Sequence, residues 1–378
     1  LVMASFGPVL GEFSANAGAS LAAVGTLFTA LFLGALLTQF FSSFISRKIG
    51  LFHMLQAGSL VAALGMTGLT FSRSLPMLLI SALIMGFGHG ATNFSANLGI
   101  ATLFTEKRAT AVNFSNIFYA LGAFIGPALA GIVVSRFNTG FPVIWLGALL
   151  LVVASLMMRQ SPQVKSVPSA NAPSTMGSAR ALLASPLLWA VAVLSLFYGG
   201  SENGMSGWTA TYMQQSVRFT LEQASFVTSG FYLALMLGRI VCTWLGSKLS
   251  EVQILTATLS VTFAGTVLFA AGSGNPVLST VAVVVIGLGY GGTYPTMIAF
   301  AASAFKEQAA PVTSILISLN AIGGSALPAL LGLLLEQSGP LASAFMVAGM
   351  AFVMLLASLA SRRILQRGTS TIRVAKSH

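Results

Sequence analysis

Runs of about 20 mostly apolar residues, long enough to cross a bilayer as a helix, recur along the chain between short polar breaks. They predict eleven spanning helices, at about residues 19–46, 51–71, 75–103, 110–135, 141–158, 186–213, 223–247, 252–272, 276–304, 309–335 and 340–361. An apolar stub at residues 1–9 is too short to cross. It is expected to be the rear of a first helix whose front is missing from this sequence, the alternative being a peripheral helix. From 159 to 185 the pattern lapses into a segment rich in Pro, Ser and Ala, which reads as a flexible linker. The expected organisation is therefore an N-terminal six-helix bundle (1–158), a cytoplasmic linker (159–185), a C-terminal six-helix bundle (186–361) and a basic cytoplasmic tail (362–378).

Composition supports the same class. Of 378 residues, 56 % are hydrophobic and 7 % are charged, against about 45–50 % and about 25 % in soluble domains. That balance argues against a soluble enzyme, a nucleic-acid binder or a disordered chain and points to an all-α polytopic membrane protein. The one cysteine, Cys242, cannot form an intrachain disulfide.

The net charge of +11 comes from 18 Lys and Arg against 7 Glu, with no Asp. With the N-terminus placed in the cytoplasm, fourteen basic residues fall on the inner side, among them Arg47, Lys48, Lys107, Arg108, Lys248 and Lys306. Only Arg73, Arg136 and Arg218 fall outside, and Arg239 lies within a span. Such an imbalance is the signature of membrane orientation. It accounts for the basicity with no acidic partner or nucleic acid, and places both termini inside.

A shift of 201 residues lays MGFGHGATNFSANLGIATLFTE (85–106) over IGLGYGGTYPTMIAFAASAFKE (286–307) without a gap. Gly86, Gly88, Gly90, Thr92, Phe104 and Glu106 meet Gly287, Gly289, Gly291, Thr293, Phe305 and Glu307. In the next helix Gly122, Pro127 and Gly131 meet Gly323, Pro328 and Gly332. Two spans thus recur six spans later in the same orientation, a parallel repeat of the kind found in the two halves of major facilitator transporters. Gly86 and Gly90, at i and i+4, allow close backbone approach, while Pro127 and Pro328 each remove a helix hydrogen bond and permit bending.

On these residues the chain resembles the major facilitator superfamily throughout its length. It looks more narrowly like the fucose–galactose–glucose:proton symporter group, through Gly86-x-Gly88-x-Gly90 ending in Asn97, Asn113-x-x-Asn116, Gly122-x-x-x-Gly126-Pro127, Tyr198-x-Gly200-x-Glu202 with Trp208 and Tyr212, Gly238-Arg239, and Gly287-x-Gly289 leading to Pro295. The resemblance implies two six-helix bundles related by a parallel pseudo-two-fold, alternating access, and a sugar or related polyhydroxy substrate. The chain departs from the family pattern in several places. The loop after the second span keeps Arg47, Lys48 and Gly50 but has no acid, and relatives often carry Asp where Asn93 stands and His where Asn116 stands.

Glu202 is the sharpest chemical candidate, because an acid at membrane depth is costly and usually faces a cavity or a partner. It suits a proton carrier, or else a local hydrogen bond in the Gly-rich stretch GGSENGMSG, read as broken helix. Tyr198 shares its face. His89, Asn93 and Asn97 form one stripe at i, i+4 and i+8, and the 201 shift pairs His89 and Asn93 with Tyr290 and Tyr294. These residues suit either a central cavity or interhelical glue. Asn113, Asn116 and Asn320 offer amides for hydroxyl-rich ligands. Trp208 offers a ring for stacking or interface anchoring. Arg239, roughly 13 Å from Lys248 at the helical rise, could bind an anionic group, serve a gate or snorkel inward. Gly122, Pro127, Gly323, Pro328 and Arg47 are the expected gating or bending positions.

No metal cluster, phosphate loop or catalytic triad is visible in the sequence. The expected function is secondary transport of a small polar solute, with no cofactor and a proton as possible coupling ion. The expected setting is a monomer, multi-pass in a plasma membrane, by compact loops a bacterial inner membrane. Proton-driven export of amphipathic compounds is the first alternative. A non-transporting receptor or an intramembrane enzyme is the second.

Overall fold

The computed structural model describes residues 2–103, 108–158 and 182–375. Twelve α-helices account for nearly all of them: α1 (Val2–Ala17), α2 (Leu21–Ile49), α3 (Leu51–Phe71), α4 (Leu75–Leu103), α5 (Arg108–Phe137), α6 (Phe141–Met157), α7 (Pro186–Val217), α8 (Leu221–Leu245), α9 (Glu251–Ala271), α10 (Pro276–Ala304), α11 (Ala309–Gln337) and α12 (Gly339–Ala375). Among the described residues, nine helices are long and apolar enough to cross a membrane. The other three are α1 and α6, with 16 and 17 residues, and α7. At 32 residues α7 has ample length. Its polar run from Ser195 to Thr211 keeps it below the hydropathy of a simple span.

The structure extends two expected elements and overturns one local reading. The stub is the first part of α1, which continues to Ala17 and is interior: Phe6, Val9 and Leu10 are fully buried. Phe13 stacks on Phe141 at 5.8 Å, and Phe6 meets Phe28 edge-on at 6.3 Å. The sequence hid this because GEFSANA lacks an apolar run. GGSENGMSG is also helical rather than broken. Backbone groups in hydrocarbon must bond within the chain, and Asn203 Nδ2 and Thr209 Oγ1 add donors to the carbonyls of Gly199 (2.7 Å) and Met205 (2.6 Å). The tail is helical as far as Ala375, as an extension of α12. The expected linker falls mainly outside the described residues, as do Phe104, Glu106 and Lys107.

Helix ends follow local chemistry. Ser20 Oγ accepts from Ala23 N at α2, a Ser250–Gln253 capping box opens α9, and Asn275 Oδ1 accepts from Val277 N and Leu278 N at α10. Gly50, with φ of 86°, turns the chain from α2 into α3. Arg47 and Lys48 lie in the last turn of α2, where cations complement the helix dipole.

The chain forms two compact units. The first holds the described residues within Leu1–Ser169 together with Gly204–Tyr232 and Ser325–Pro340. The second holds those within Ala170–Asn203, Leu233–Gly324 and Leu341–His378.

In the first unit α4 lies in near-backbone contact with two helices. A Cβ on Gly86 or Gly90 would strike the carbonyls of Leu31 and Ala35 on α2, and one on Gly88 would strike Gly58 and Ala62 on α3. The second unit repeats this packing internally. A Cβ on Gly291 would strike Leu235 and Arg239 on α8, and one on Gly289 would strike Thr258 and Thr262 on α9. The duplication read from sequence is thus a duplication of packing. It extends to the helix ends, where Lys48 Nζ sits over Phe44 (4.5 Å) in one unit and Lys248 Nζ over Trp244 (3.8 Å) in the other.

Gly88→Val and Gly289→Val are each expected to lower thermal stability in detergent, by the roughly 1–3 kcal/mol of an overpacked core. Gly230→Ala and Gly349→Ala, where no atom lies within 4 Å of the new Cβ, are expected to leave stability unchanged or raise it by up to about 1 kcal/mol.

Candidate functional site

The second unit gathers a polar and aromatic cluster from α7, α8, α10 and α11. One turn of α7 supplies Tyr198, Ser201 and Glu202. Tyr198 and Tyr290 are essentially fully buried. Their rings meet edge-on at 5.5 Å, and Tyr198 stacks on Tyr294 at 5.6 Å with an interplanar angle of 26°. The Tyr198 hydroxyl donates to the carbonyl of Tyr290 at 3.4 Å and lies close enough to the Glu202 carboxyl to interact with it. Ser201 Oγ is hydrogen-bonded to the Tyr290 hydroxyl.

Arg239 on α8 lies close enough to act electrostatically on both Glu202 and Tyr198. Its Nε is buried and has no hydrogen-bond partner. The side chain is thus aimed at the cluster and does not snorkel to the basic end. Asn320 on α11 uses Nδ2 to donate to the carbonyl of Ser195 (3.3 Å), while Ser195 Oγ donates to that of Leu316 (2.7 Å). Gly199 and Gly323 make this approach possible, since a Cβ on either would strike the facing backbone.

The chemistry of the cluster is mixed. Glu202 accepts, Arg239 donates, the phenol groups do both, and half-buried Tyr294 offers a ring. Ser201 is the member that sequence reasoning missed. Its only signal was its place between Tyr198 and Glu202, and serine is too common in membrane helices for that to stand out.

Other expected residues lie in the first unit. Asn93 and Asn97 are exposed on α4, where Asn97 Nδ2 donates to Asn93 O (2.9 Å) and Asn93 Oδ1 (3.1 Å). His89 is partly buried one turn earlier. Arg47 is exposed at the end of α2. The side chains of Asn113 and Asn116 lie outside the described residues. Trp208 is 2 % exposed. Its ring faces Gly25 of α2 and Gly332 of α11, and Nε1 donates to the carbonyl of Pro328 at 2.8 Å. It therefore offers no free face for stacking and does not anchor at a lipid interface.

The two proline positions act through backbone groups. Next to Pro127 the Ala128 N–H is taken by Ser229 Oγ of α8 at 2.9 Å. Near Pro328 the carbonyl of Ser325 accepts from Thr29 Oγ1 of α2 at 2.6 Å. With the carbonyl of Pro328 itself, three backbone groups beside the two prolines are thus bonded to side chains from other helices.

The family model described as Major Facilitator Superfamily matches residues 1–328 and 204–375. Protein TsgA of Shigella flexneri is 22 % identical over 349 residues, covering 89 % of this chain and 85 % of the relative. Protein TsgA of Escherichia coli O6:K15:H31 (strain 536 / UPEC) is 21 % identical with the same coverage. Among solved structures, the nucleoside transporter NupG superposes with a TM-score of 0.80 as a point mutant and 0.75 without the mutation. Each is 15 % identical, with 95 % of both chains covered. At that identity the likeness is one of fold.

Ser201→Ala and Tyr290→Phe are each expected to destabilise the protein, because each leaves a buried hydroxyl without its partner. The double variant should cost less than the sum, with a coupling of about 0.6–1.7 kcal/mol. Unfolding in detergent across the four proteins measures it.

Proposed function

We propose a solute and a mechanism from one premise, that the chain belongs to the Major Facilitator Superfamily and is a multi-pass membrane transporter rather than an enzyme. The solute is a small polar ring compound rich in hydroxyl groups, a sugar or a nucleoside, and it moves by alternating access with a proton as coupling ion. The observation that carries this reading is the cluster of Tyr198, Ser201, Glu202, Arg239, Tyr290 and Tyr294 in helices otherwise built of apolar residues. Buried ionisable groups are retained in membrane helices where they serve a solute or proton path. Stacked phenol rings provide an apolar face against C–H patches or a base, and the Glu–Arg pair reads hydroxyl and carbonyl groups at its edge. The nucleoside option draws on the fold shared with NupG, the sugar option on the motifs around Gly86 and Tyr198.

In this reading Glu202 carries the proton, and His89, Asn93 and Asn97 on α4 offer further polar groups to the solute. The basic loops face the cytoplasm, so the ends of α2 and α8 that carry Lys48 and Lys248 are inner ends. The end bearing Arg73, Arg136 and Arg218 is outer. The protein acts as a monomer without a cofactor in a bacterial inner membrane, in keeping with its bacterial relatives.

The test is the external pH of lightly buffered cells expressing the protein, while sugars and nucleosides are added one at a time. One solute should cause alkalinisation, and Glu202→Gln should abolish that signal while keeping exchange of labelled solute. Uptake without any pH change would remove the proton from the mechanism. No uptake of any sugar or nucleoside would overturn the solute reading.

A further inference from the structure

The outer part of α7, residues 204–217, belongs to the first compact unit and is held there from several sides. Gly207 lies against Phe28 of α2, and its carbonyl is so close to Gly7 of α1 that a Cβ there would strike it. Ser206 Oγ is hydrogen-bonded to the Tyr232 hydroxyl of α8. Trp208 fills the space between Gly25 of α2 and Gly332 of α11 and ties its Nε1 to Pro328 O at 2.8 Å. Two further bonds run alongside, Thr29 Oγ1 to Ser325 O at 2.6 Å and Ala22 N to Glu336 Oε2 at 2.5 Å. Helices of the first repeat, α1 and α2, are thereby fastened to helices of the second, α7 and α11.

Glycines at 7, 25, 207 and 332 leave backbone facing backbone or ring. An indole seated between two of them must leave its seat before α2 and α11 separate.

We infer that Trp208 is a removable plug, and that its seating between Gly25 and Gly332 closes this end of the protein. Gly332 keeps the seat open, and the carbonyl of Pro328 fixes the ring's depth through Nε1. The assignment of this end as the outer one rests on the orientation proposed above, while the plug itself rests on contacts within one unit.

The experiment uses the full chain with Cys242→Ser, which removes the one native thiol, and Thr29→Cys as reporter. Intact cells are treated with a membrane-impermeant maleimide, and the labelling rate is read with and without a second substitution. Trp208→Ala should raise the rate roughly tenfold, which corresponds to about 1.4 kcal/mol of lost closure. Trp208→Phe, which keeps a ring but loses the N–H, should raise it less. Gly332→Val keeps the tryptophan in the chain but fills its seat, and should match Trp208→Ala. That variant guards against the case in which removing the indole unfolds the protein, as does a monodisperse elution profile for each variant. Wild-type rates in folded Trp208→Ala and Gly332→Val would overturn the plug. A rise seen only in inverted vesicles would keep the plug and overturn the orientation. Because no solute enters the assay, failure of the sugar or nucleoside reading leaves the result unaffected.

Discussion

A backbone group inside hydrocarbon has no water to turn to, and the arrangement of this protein follows from that constraint. A proline within a helix removes one N–H donor and displaces the carbonyl it would have met. Around both prolines, neighbouring helices supply side-chain bonds to the backbone: Ser229 takes the amide after Pro127, Thr29 reaches Ser325 O, and Trp208 reaches Pro328 O. Ser229 and Thr29 thereby attach each proline segment to a helix outside its own six. The attachments are single hydrogen bonds, and in membranes such bonds are worth on average only about 0.6 kcal/mol. They are strong enough to specify a partner and weak enough to exchange.

Glycine does the complementary work. Within each unit the central helix, α4 or α10, lies so close to its two neighbours that a single methyl group would collide with their backbones. Such contact gives each unit a rigid interior without polar glue. It also explains why the repeat survives as a glycine pattern. Gly88 and Gly289 must both clear a backbone, whereas neighbours such as His89 and Tyr290, or Asn93 and Tyr294, differ between the copies.

The sequence revealed most of the helices because hydrocarbon imposes one readable demand, an apolar run about 20 residues long. It failed where other demands take over. Residues 11–17 of α1 carry no apolar run, and Glu12 within them accepts from Thr139 Oγ1 and Gly140 N at the start of α6. The glycines of α7 looked like breaks and are packing faces. Glu202 stood out in the sequence as an acid deep inside an apolar helix, whereas Arg239 left binding, gating and snorkelling equally open. Ser201 and the role of Trp208 were not legible. A serine hydroxyl gains meaning only from the phenol it meets, and an indole from the glycines on either side of it, which here stand at opposite ends of the chain, at 25 and 332.

Three members of the polar cluster and the packed tryptophan share α7, with Glu202 and Trp208 six residues apart. Tyr198, Ser201 and Glu202 belong to one compact unit and Trp208 to the other. This stretch of helix carries Gly199, Gly200, Gly204 and Gly207, at roughly 1 kcal/mol each relative to alanine in helix propensity. So many glycines in so short a stretch are a considerable cost in a helix that must also exclude lipid. Gly199 and Gly207 offset it through close approach to Asn320 and Phe28, while Gly204 meets only the end of the Leu331 side chain. A Cβ at Gly204 would lie 3.1 Å from Leu331 Cδ2, tighter than an ordinary contact, so this glycine too leaves room for a neighbouring side chain within its own unit.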